Sequence, residues 1–267
     1  MRLQIVDTGK FNSRCYNGKI MSVLKDNIGR MEDIELTDLN PDIIHLFGNW
    51  DVNTLSMVKS LHRRHIPMVL TSVNGLQSLV SLTPLQVSLM KQITGNVVVT
   101  HVCGKYEELL LSNKIKGIRT HIIHNAVISN IITVDEMISK MARLYEDMIK
   151  SYDKQICDKI RKKVDDVSHA DESISNICRQ ILYIKYLHNR GSIPQIKINE
   201  LSQTMIDSRY DEDKMGGFLK SLGIYEYTSS LLSVLNQKSS LTEGFMPIAE
   251  TDDKTAEGII NCITNYK

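Results

Sequence analysis

Short apolar runs alternate with amphipathic stretches along the first half of the chain. Residues 42–46 and 68–71 are runs of the kind expected for strands buried on both faces of a sheet. The stretch between them has helical periodicity, with an apolar stripe formed by Leu55, Val58 and Leu61. A strand, a crossover of roughly 15 residues and a second strand predict a right-handed βαβ unit with parallel strands.

The same alternation extends from the N-terminus to residue 124. Further strands are predicted at residues 3–6, 96–100 and 119–124, and helices are predicted to begin at Pro84 and Lys105. Residues 9–30 fit a loop, a strand or part of a helix, and residues 31–39 fit an irregular approach to the next strand. This order of elements predicts the α/β class, with a parallel doubly wound, Rossmann-like sheet.

The hydrophobic period changes at Thr133. Thr133 and Glu136 fit a capping box, and apolar residues then recur every three or four positions as far as Val164. The pattern predicts one amphipathic helix of about 45 Å. Shorter helices are predicted at residues 174–189, 199–206 and 211–222, with weaker patterns at residues 231–236 and 255–265. We therefore predict a sheet domain over residues 1–130 and an all-α region over residues 131–267.

Composition does not change this picture, but it narrows the classes of function. The chain is 42% hydrophobic and 24% charged with a net charge of +1, so it has no overall attraction for nucleic acid or anionic membrane. No apolar run approaches the roughly 18 to 20 residues of a membrane span, and the first residues fit a strand rather than a signal peptide. We expect a cytoplasmic protein without a transmembrane segment.

The cysteines and histidines give no sign of a metal centre. The five cysteines are widely spaced without a CxxC pair, and the histidines at positions 62, 65 and 101 lack ligand spacing with any of them. Neither a disulfide framework nor a metal site nor a cofactor is expected.

The predicted carboxyl ends of the strands are the candidate functional face, because open parallel sheets bind ligands in the crevice outside those ends. His45 could reach a sugar there, or it could be a buried histidine bonded to the backbone. Trp50 could stack on a sugar ring, or it could pack beneath the next helix. The candidate binding residues of this face are His45, Gly48, Asn49, Trp50, Asn74, Gly75 and Asn125.

Three segments give residues 1–128 a resemblance to the N-terminal domain of GT-B glycosyltransferases of the family-4 type. Residues 42–50 (DIIHLFGNW) are similar to the family's D-[IV]-[IV]-H-x-H-G-x-W segment. Residues 66–75 (IPMVLTSVNG) are similar to I-P-x-V-x-[ST]-x-H-G, and residues 122–127 (IIHNAV) are similar to x-I-P-N-G-V. The helix after Thr133 resembles the final helix of such enzymes, which in the family follows the nucleotide-sugar domain.

The resemblance implies an acceptor-side domain whose donor domain is missing. The family's acceptor-site histidine falls on Asn74, which cannot act as a base, and the glycine-rich first loop is represented by isolated glycines at positions 9 and 18. Residues 243–250 are similar to the family's paired-glutamate motif, but they are one residue short and follow no strand-rich pattern. No catalytic residue is assigned.

Such a protein would transfer, or help to transfer, a sugar from a nucleotide-sugar donor in glycan or cell-surface polysaccharide synthesis. The implied ligands are a nucleotide sugar or a glycan acceptor, and a partner glycosyltransferase chain would supply the donor domain.

The alternative, from a different class, is a non-catalytic regulatory or scaffold protein whose helical half binds protein or DNA. Residues 181–189, 199–206 and 211–223 match the three helices of a helix-turn-helix unit. The third of them begins with Asp211, Glu212 and Asp213, which would repel phosphates. The default interpretation of this region is a helical cap or a homodimer surface, and nucleic acid is the less favoured partner.

Overall fold

The first 152 residues form a compact α/β unit in the computed structural model of the protein. The structure describes residues 1–8, 17–127, 129–167 and 171–264. The strands of this unit are β1 (Arg2–Asp7), β2 (Glu35–Leu36), β3 (Ile43–Gly48), β4 (Met68–Ser72), β5 (Val99–Val102) and β6 (Thr120–Ile122). They pair in the order β2-β1-β3-β4-β5-β6, and every pair is parallel. The predicted doubly wound parallel sheet is confirmed.

Helices cover both faces of this sheet. They are α1 (Gly18–Ile28), α2 (Val52–Arg63), α3 (Gln77–Val80), α4 (Pro84–Thr94), α5 (Lys105–Lys114) and the first part of α6 (Val134–Val167). On one face, Leu24 of α1 and Met141 of α6 share a core with Ile43. On the other face, Val58 of α2 and Met90 of α4 pack in a second core. The sheet is therefore buried on both sides, which explains the continuous apolar runs of its strands.

Residues 17–36 form a helix and a short strand. The buried positions of α1 are spaced as one helical face and include Ile20, Leu24 and Ile28. The irregular approach predicted at residues 31–39 contains β2, which pairs with Arg2 and Leu3 at the sheet edge. Two residues are too few to show a period of two, so the pattern could not reveal this strand. Gly9 and the other residues of the predicted loop, as far as position 16, lie outside the described residues.

The long helix predicted after Thr133 is α6, which contains 34 residues. The predicted capping box is present: the Glu136 N–H donates to Thr133 Oγ1 at 3.2 Å, and the Thr133 N–H donates to a Glu136 carboxylate oxygen at 2.8 Å. The two compact units of the chain divide within α6, between Tyr152 and Asp153, and not at the predicted boundary of residues 130 and 131. The reason is that the first half of α6 packs on the sheet, through side chains that include Met137, Met141 and Leu144.

The second unit, residues 153–267, is helical in its described part and confirms the predicted helical region. After α6 it contains α7 (Glu172–Arg190), β7 (Ile193–Pro194), α8 (Gln195–Asp207), α9 (Glu212–Ser221), α10 (Tyr225–Lys238), α11 (Lys254–Cys262) and β8 (Ile263–Thr264). The pattern at residues 231–236 predicted only the middle of α10. A two-stranded parallel pair, β7 and β8, adds strand structure that the pattern did not predict.

A largely buried ion pair joins α6 to α7 in this unit. Arg190 Nη1 lies 3.1 Å from Asp153 Oδ1, and the Tyr186 hydroxyl donates to the same oxygen at 2.9 Å. The Arg190 side chain is only 8% exposed and that of Asp153 is 30% exposed, so the arginine end of the pair is shielded from water.

The segment that is similar to the paired-glutamate motif lies at the surface of the helical unit. Glu243–Phe245 is a single 3₁₀ turn, and the Glu250 carboxylate accepts hydrogen bonds from the Asn236 side chain. Among the described residues, none of the helices is both long enough and apolar enough to cross a membrane.

Candidate functional site

The strand order of the sheet reverses between β1 and β3. In open α/β sheets the ligand crevice lies at this reversal, outside the carboxyl ends of the strands. The helix that follows β1 in the chain, α1, covers one face, and the helix that follows β3, α2, covers the other. The crevice is therefore bordered by Asp7 and Thr8 on one side and by Gly48 and Asn49 on the other. The sequence pattern indicates a site at the ends of β3 and β4, and the strand order adds the end of β1.

Gly48 ends β3 where two threonine side chains meet the backbone. A Cβ atom at this position would lie 2.7 Å from Thr54 Cγ2 and 2.8 Å from Thr8 Oγ1. The two threonine hydroxyls are 2.7 Å apart, and the Asn49 backbone N–H donates to the Thr54 hydroxyl at 3.2 Å. A larger residue would displace one of these groups, so only glycine permits the close approach of α2 to the end of β1.

Trp50 lies beneath the edge of the sheet and not on it. Its side chain is 4% exposed and packs in the core between the sheet and α2. The indole N–H donates to the Ser78 hydroxyl at 3.2 Å. The structure thus favours packing over sugar stacking for this tryptophan. Asn49, next to it, is half-buried, and within the described residues its side-chain amide has no hydrogen-bond partner.

The turn after β4 is held by side-chain hydroxyls. The backbone of Gly75 has a φ of 52°, which lies in the left-handed region that favours glycine. The Ser78 hydroxyl donates to the Gly75 carbonyl at 2.7 Å and is also in contact with the Ser72 hydroxyl. Asn74 is half-buried, and its side-chain amide makes no hydrogen bond to another described residue. The amides of Asn74 and Asn49 therefore remain available to a ligand.

His45 points into the interior of the sheet domain, where it belongs to a chain of four side chains. The Tyr145 hydroxyl lies 2.6 Å from His45 Nδ1, and His45 Nε2 lies 2.7 Å from Thr71 Oγ1. Thr71 Oγ1 lies 2.8 Å from His101 Nδ1, and His101 Nε2 lies 3.0 Å from the Ile123 carbonyl oxygen. His45 is fully buried with both ring nitrogens bonded, so the buried interpretation holds, with side-chain partners in place of the expected backbone.

Burial keeps these titratable groups uncharged. It lowers the pKa of His45 well below the ordinary value, and the neighbouring His101 lowers it further. Burial also lowers the pKa of His101 to about 4 and raises the pKa of the Tyr145 phenol. A neutral imidazole with both nitrogens bonded cannot accept a substrate proton, so the geometry does not offer His45 as a general base.

A buried polar cluster at the end of β5 was not indicated by the sequence pattern. Asn17 donates its side-chain N–H to the Ser72 carbonyl at 2.7 Å, and the Cys103 thiol donates to Asn17 Oδ1 at 3.2 Å. Glu107, which is 3% exposed, accepts the Cys103 backbone N–H at 2.7 Å. The N-cap residue of α5 is Gly104, which has no side chain, so Glu107 serves the start of this helix instead.

Burial raises the pKa of the Glu107 carboxyl and of the Cys103 thiol. The cluster joins the start of α1 to the ends of β4 and β5, and it closes that part of the edge with the protein's own side chains. An acid in the first turn of a helix was visible in the sequence at Glu107, but nothing local signals the burial of Asn17.

Asn125 and His124 shape the connection from β6 to α6. Asn125 is 2% exposed, and its side-chain oxygen accepts the Val127 N–H at 2.9 Å. His124 Nδ1 lies 3.0 Å from the Cys103 carbonyl oxygen. The structure places Asn125 beneath this turn, where it supports the backbone and presents little surface to a ligand.

Two open cavities lie away from these strand ends. One, of about 260 Å³, is beside β1 and β2 and is lined by Leu3, Ile5, Lys25, Leu36, Thr37 and Asp38. The other, of about 320 Å³, lies in the helical unit beside Cys157, Arg179, Tyr183 and Lys197. Its two cations already have partners, because Arg179 pairs with Asp165 and Glu172 and Lys197 pairs with Glu200. Neither cavity contains a predicted site residue.

In the described ranges, no group of three or more His, Cys, Asp or Glu side chains is placed to hold a metal ion. No protein-family model, no curated protein and no solved structure matches the chain.

Proposed function

We propose that this chain is a divergent, truncated relative of family-4-type GT-B glycosyltransferases that keeps the acceptor-side domain. The observation that supports the proposal is the position in the fold of the three segments that resemble the family's motifs. Residues 49–50 follow β3, residues 74–75 follow β4 and residue 125 follows β6, so all three segments end at the carboxyl edge of one parallel sheet. This is the edge at which an open α/β sheet binds its ligand.

The helical second unit agrees with a missing donor domain. The residues that the structure describes form one parallel sheet domain followed by helices, without a second α/β domain. Because a GT-B enzyme needs a nucleotide-sugar domain, this chain would help to transfer a sugar only together with a partner chain that supplies one. The ligand of the isolated chain would then be a glycan acceptor or the sugar part of a nucleotide sugar.

The amides of Asn49 and Asn74 are the groups that we assign to the ligand. An amide offers both donors and an acceptor, which suits sugar hydroxyls. It cannot take up a proton at neutral pH, so the assigned role is binding and orientation and not acid–base catalysis.

Isothermal titration calorimetry of the full chain with a panel of oligosaccharides, UDP-sugars and GDP-sugars tests the proposal. We expect binding of at least one of these ligands, and the double variant Asn49→Ala/Asn74→Ala should weaken it about tenfold or more through the loss of two polar contacts. The matched control is Asn96→Ala, which removes an amide at the opposite edge of the sheet and should leave the affinity unchanged. Absence of binding, or binding that the double variant leaves intact, would overturn the proposal.

One observation favours a non-catalytic scaffold or regulatory protein as a second candidate. The cluster of Asn17, Cys103 and Glu107 closes part of the edge with internal hydrogen bonds.

Salt-sensitive retention of the chain on DNA would point to a nucleic-acid partner. The first turn of α9 contains Glu212 and Asp213, which would oppose a phosphate contact by this helix.

A further inference from the structure

The chain of side chains from Tyr145 to His101 allows one arrangement of its protons in which every polar atom is paired. This series of hydrogen bonds ends on the Ile123 carbonyl oxygen, which can only accept a hydrogen bond. His101 Nε2 must therefore hold a hydrogen, and Nδ1 of the neutral ring must accept one. Among the described residues, the donor in contact with His101 Nδ1 is the Thr71 hydroxyl, at 2.8 Å.

The same reasoning fixes the other half of the chain. Because the Thr71 hydroxyl donates its hydrogen bond to His101, Thr71 Oγ1 accepts a hydrogen bond from His45 Nε2–H at 2.7 Å. His45 Nδ1 is then the acceptor, and the Tyr145 hydroxyl donates to it at 2.6 Å. Every donor in the chain has an acceptor while both rings are neutral, so the network is complete in that state alone.

An added proton disrupts this arrangement on either ring. On His45 it must occupy Nδ1 and point at the Tyr145 oxygen, and the phenol hydrogen then loses its acceptor. On His101 it must occupy Nδ1 and point at Thr71, and the hydroxyl hydrogen of Thr71 loses its acceptor. Each case buries a charge and leaves one donor unpaired, and both changes are unfavourable in a dry core.

The surroundings of the two rings offer no compensating negative charge among the groups found to act on them. Ile5 of β1 and Val69 of β4 flank His45, and Leu24 of α1 packs in the same core. The titratable groups that act on the imidazoles are His101, which acts on His45, and His121 of β6, which acts on His101, and a positive charge on either of these opposes protonation. At the end of β5, Cys103 and Glu107 are engaged with each other through the Cys103 N–H.

Tyr145 is the member of the chain that can move. His45, Thr71 and His101 belong to strands that are paired on both sides in the middle of the sheet. Tyr145 belongs to α6, a helix that packs on the sheet through buried side chains. We propose that the hydrogen-bonded side chains of Tyr145, His45, Thr71 and His101 act as an acid-sensitive latch. The latch holds the first half of α6 on the sheet and releases it when either histidine ring takes up a proton. This inference is independent of the proposed function.

Nitrogen-15 NMR of the histidine rings in the full-length protein tests the proton arrangement. At pH 7.5 we expect both His45 and His101 as neutral Nε2–H tautomers that do not titrate near pH 6.5. An Nδ1–H tautomer of either ring, or titration of either ring near its ordinary value, would overturn the proposal.

Hydrogen exchange by mass spectrometry tests the release of α6. After correction for the intrinsic effect of pH, exchange in residues 137–148 should accelerate about tenfold for each pH unit between 6.5 and 4.5, because the open form takes up the proton. Residues 52–63 of α2, on the opposite face, should change less than about twofold. Equal acceleration of both segments would indicate global unfolding and would refute the latch.

A pair of tyrosine variants separates the latch from ordinary packing. Tyr145→Phe removes the hydroxyl that donates to His45 and should accelerate exchange in residues 137–148 about tenfold at pH 7.5. Tyr106→Phe, at an exposed position of α5, should have no effect. Unchanged exchange in Tyr145→Phe would contradict the proposal, and the measurements on the unmodified chain remain decisive if this variant does not fold.

Discussion

Two buried threonines on neighbouring strands should respond in opposite ways to the same substitution. Thr71 of β4 is fully buried, and its hydroxyl bonds both His45 and His101. Thr100 of β5 is 1% exposed, and its hydroxyl has no hydrogen-bond partner among the described residues. Replacement by valine keeps the shape of either side chain and removes only the hydroxyl.

The expected changes in the free energy of unfolding follow from the groups that each substitution leaves without a hydrogen-bond partner. Thr71→Val leaves the Nε2–H of His45 without an acceptor and Nδ1 of His101 without a donor, both buried. At about 1 to 3 kcal/mol for each of the two unsatisfied groups, the free energy of unfolding should fall by about 2 to 6 kcal/mol. Thr100→Val removes a buried hydroxyl that has no partner, so the change should lie between zero and a gain of about 1 kcal/mol.

Urea denaturation at pH 7.5, followed by far-UV circular dichroism, measures both values. The slope of the free energy against urea concentration should match that of the unmodified chain, so that a change in midpoint reports a change in stability. Similar midpoints for the two variants would refute the hydrogen-bond assignment, as would a loss of less than about 0.5 kcal/mol in Thr71→Val.

Three further predictions follow from the sheet core and the helical unit. Gly48→Ala should destabilise the protein by about 1 to 3 kcal/mol, because the new methyl group collides with two threonines. By contrast, Gly217→Ala inside α9, where a Cβ meets nothing within 4 Å, should not lower the melting temperature. Because folding lowers the pKa of His101 from 6.5 to about 4, the unfolded state binds more protons. In urea titrations the contribution of this ring to stability should be complete above pH 6.5 and should fall by about 3 kcal/mol toward pH 4, and the lowered pKa of His45 should add to the loss. A gain of stability on acidification would contradict the burial of this ring. Asp153→Ala removes one partner of an arginine that is 8% exposed and should lower stability by about 1 to 3 kcal/mol in the same assay, while Asp158→Ala at an exposed pair should lower it by less than about 1 kcal/mol.

Local periodicity is sufficient to predict most of the sheet domain. The βαβ unit of β3, α2 and β4 follows from two apolar runs and one helical stripe, and the start of α4 follows from Thr83 and Pro84. The strand predicted at residues 96–100 is present as Val99–Val102, so it starts three residues later and includes His101. A histidine inside a strand looks polar in the sequence, and only its partners on other strands make its burial favourable.

The candidate site was less predictable, because its contacts join distant parts of the chain. His45 and Tyr145 are one hundred residues apart, and Asn17 bonds to the carbonyl of Ser72. No local pattern indicates either contact. Trp50 illustrates the same limit. Stacking on a ligand and packing beneath a helix both require a tryptophan at this position, and the two interpretations are distinguished by contacts with distant residues such as Ser78.

The position of α6 has a consequence for how the protein is made. Side chains from residues 137–145 are part of the core that covers one face of the sheet. While the ribosome is still adding these residues, α1 covers only part of that face of the strands that are already complete. The sheet domain can therefore reach its final stability only after about the first 150 residues have left the exit tunnel, and a nascent chain that stalls before that point would expose the apolar side chains of its central strands to chaperones.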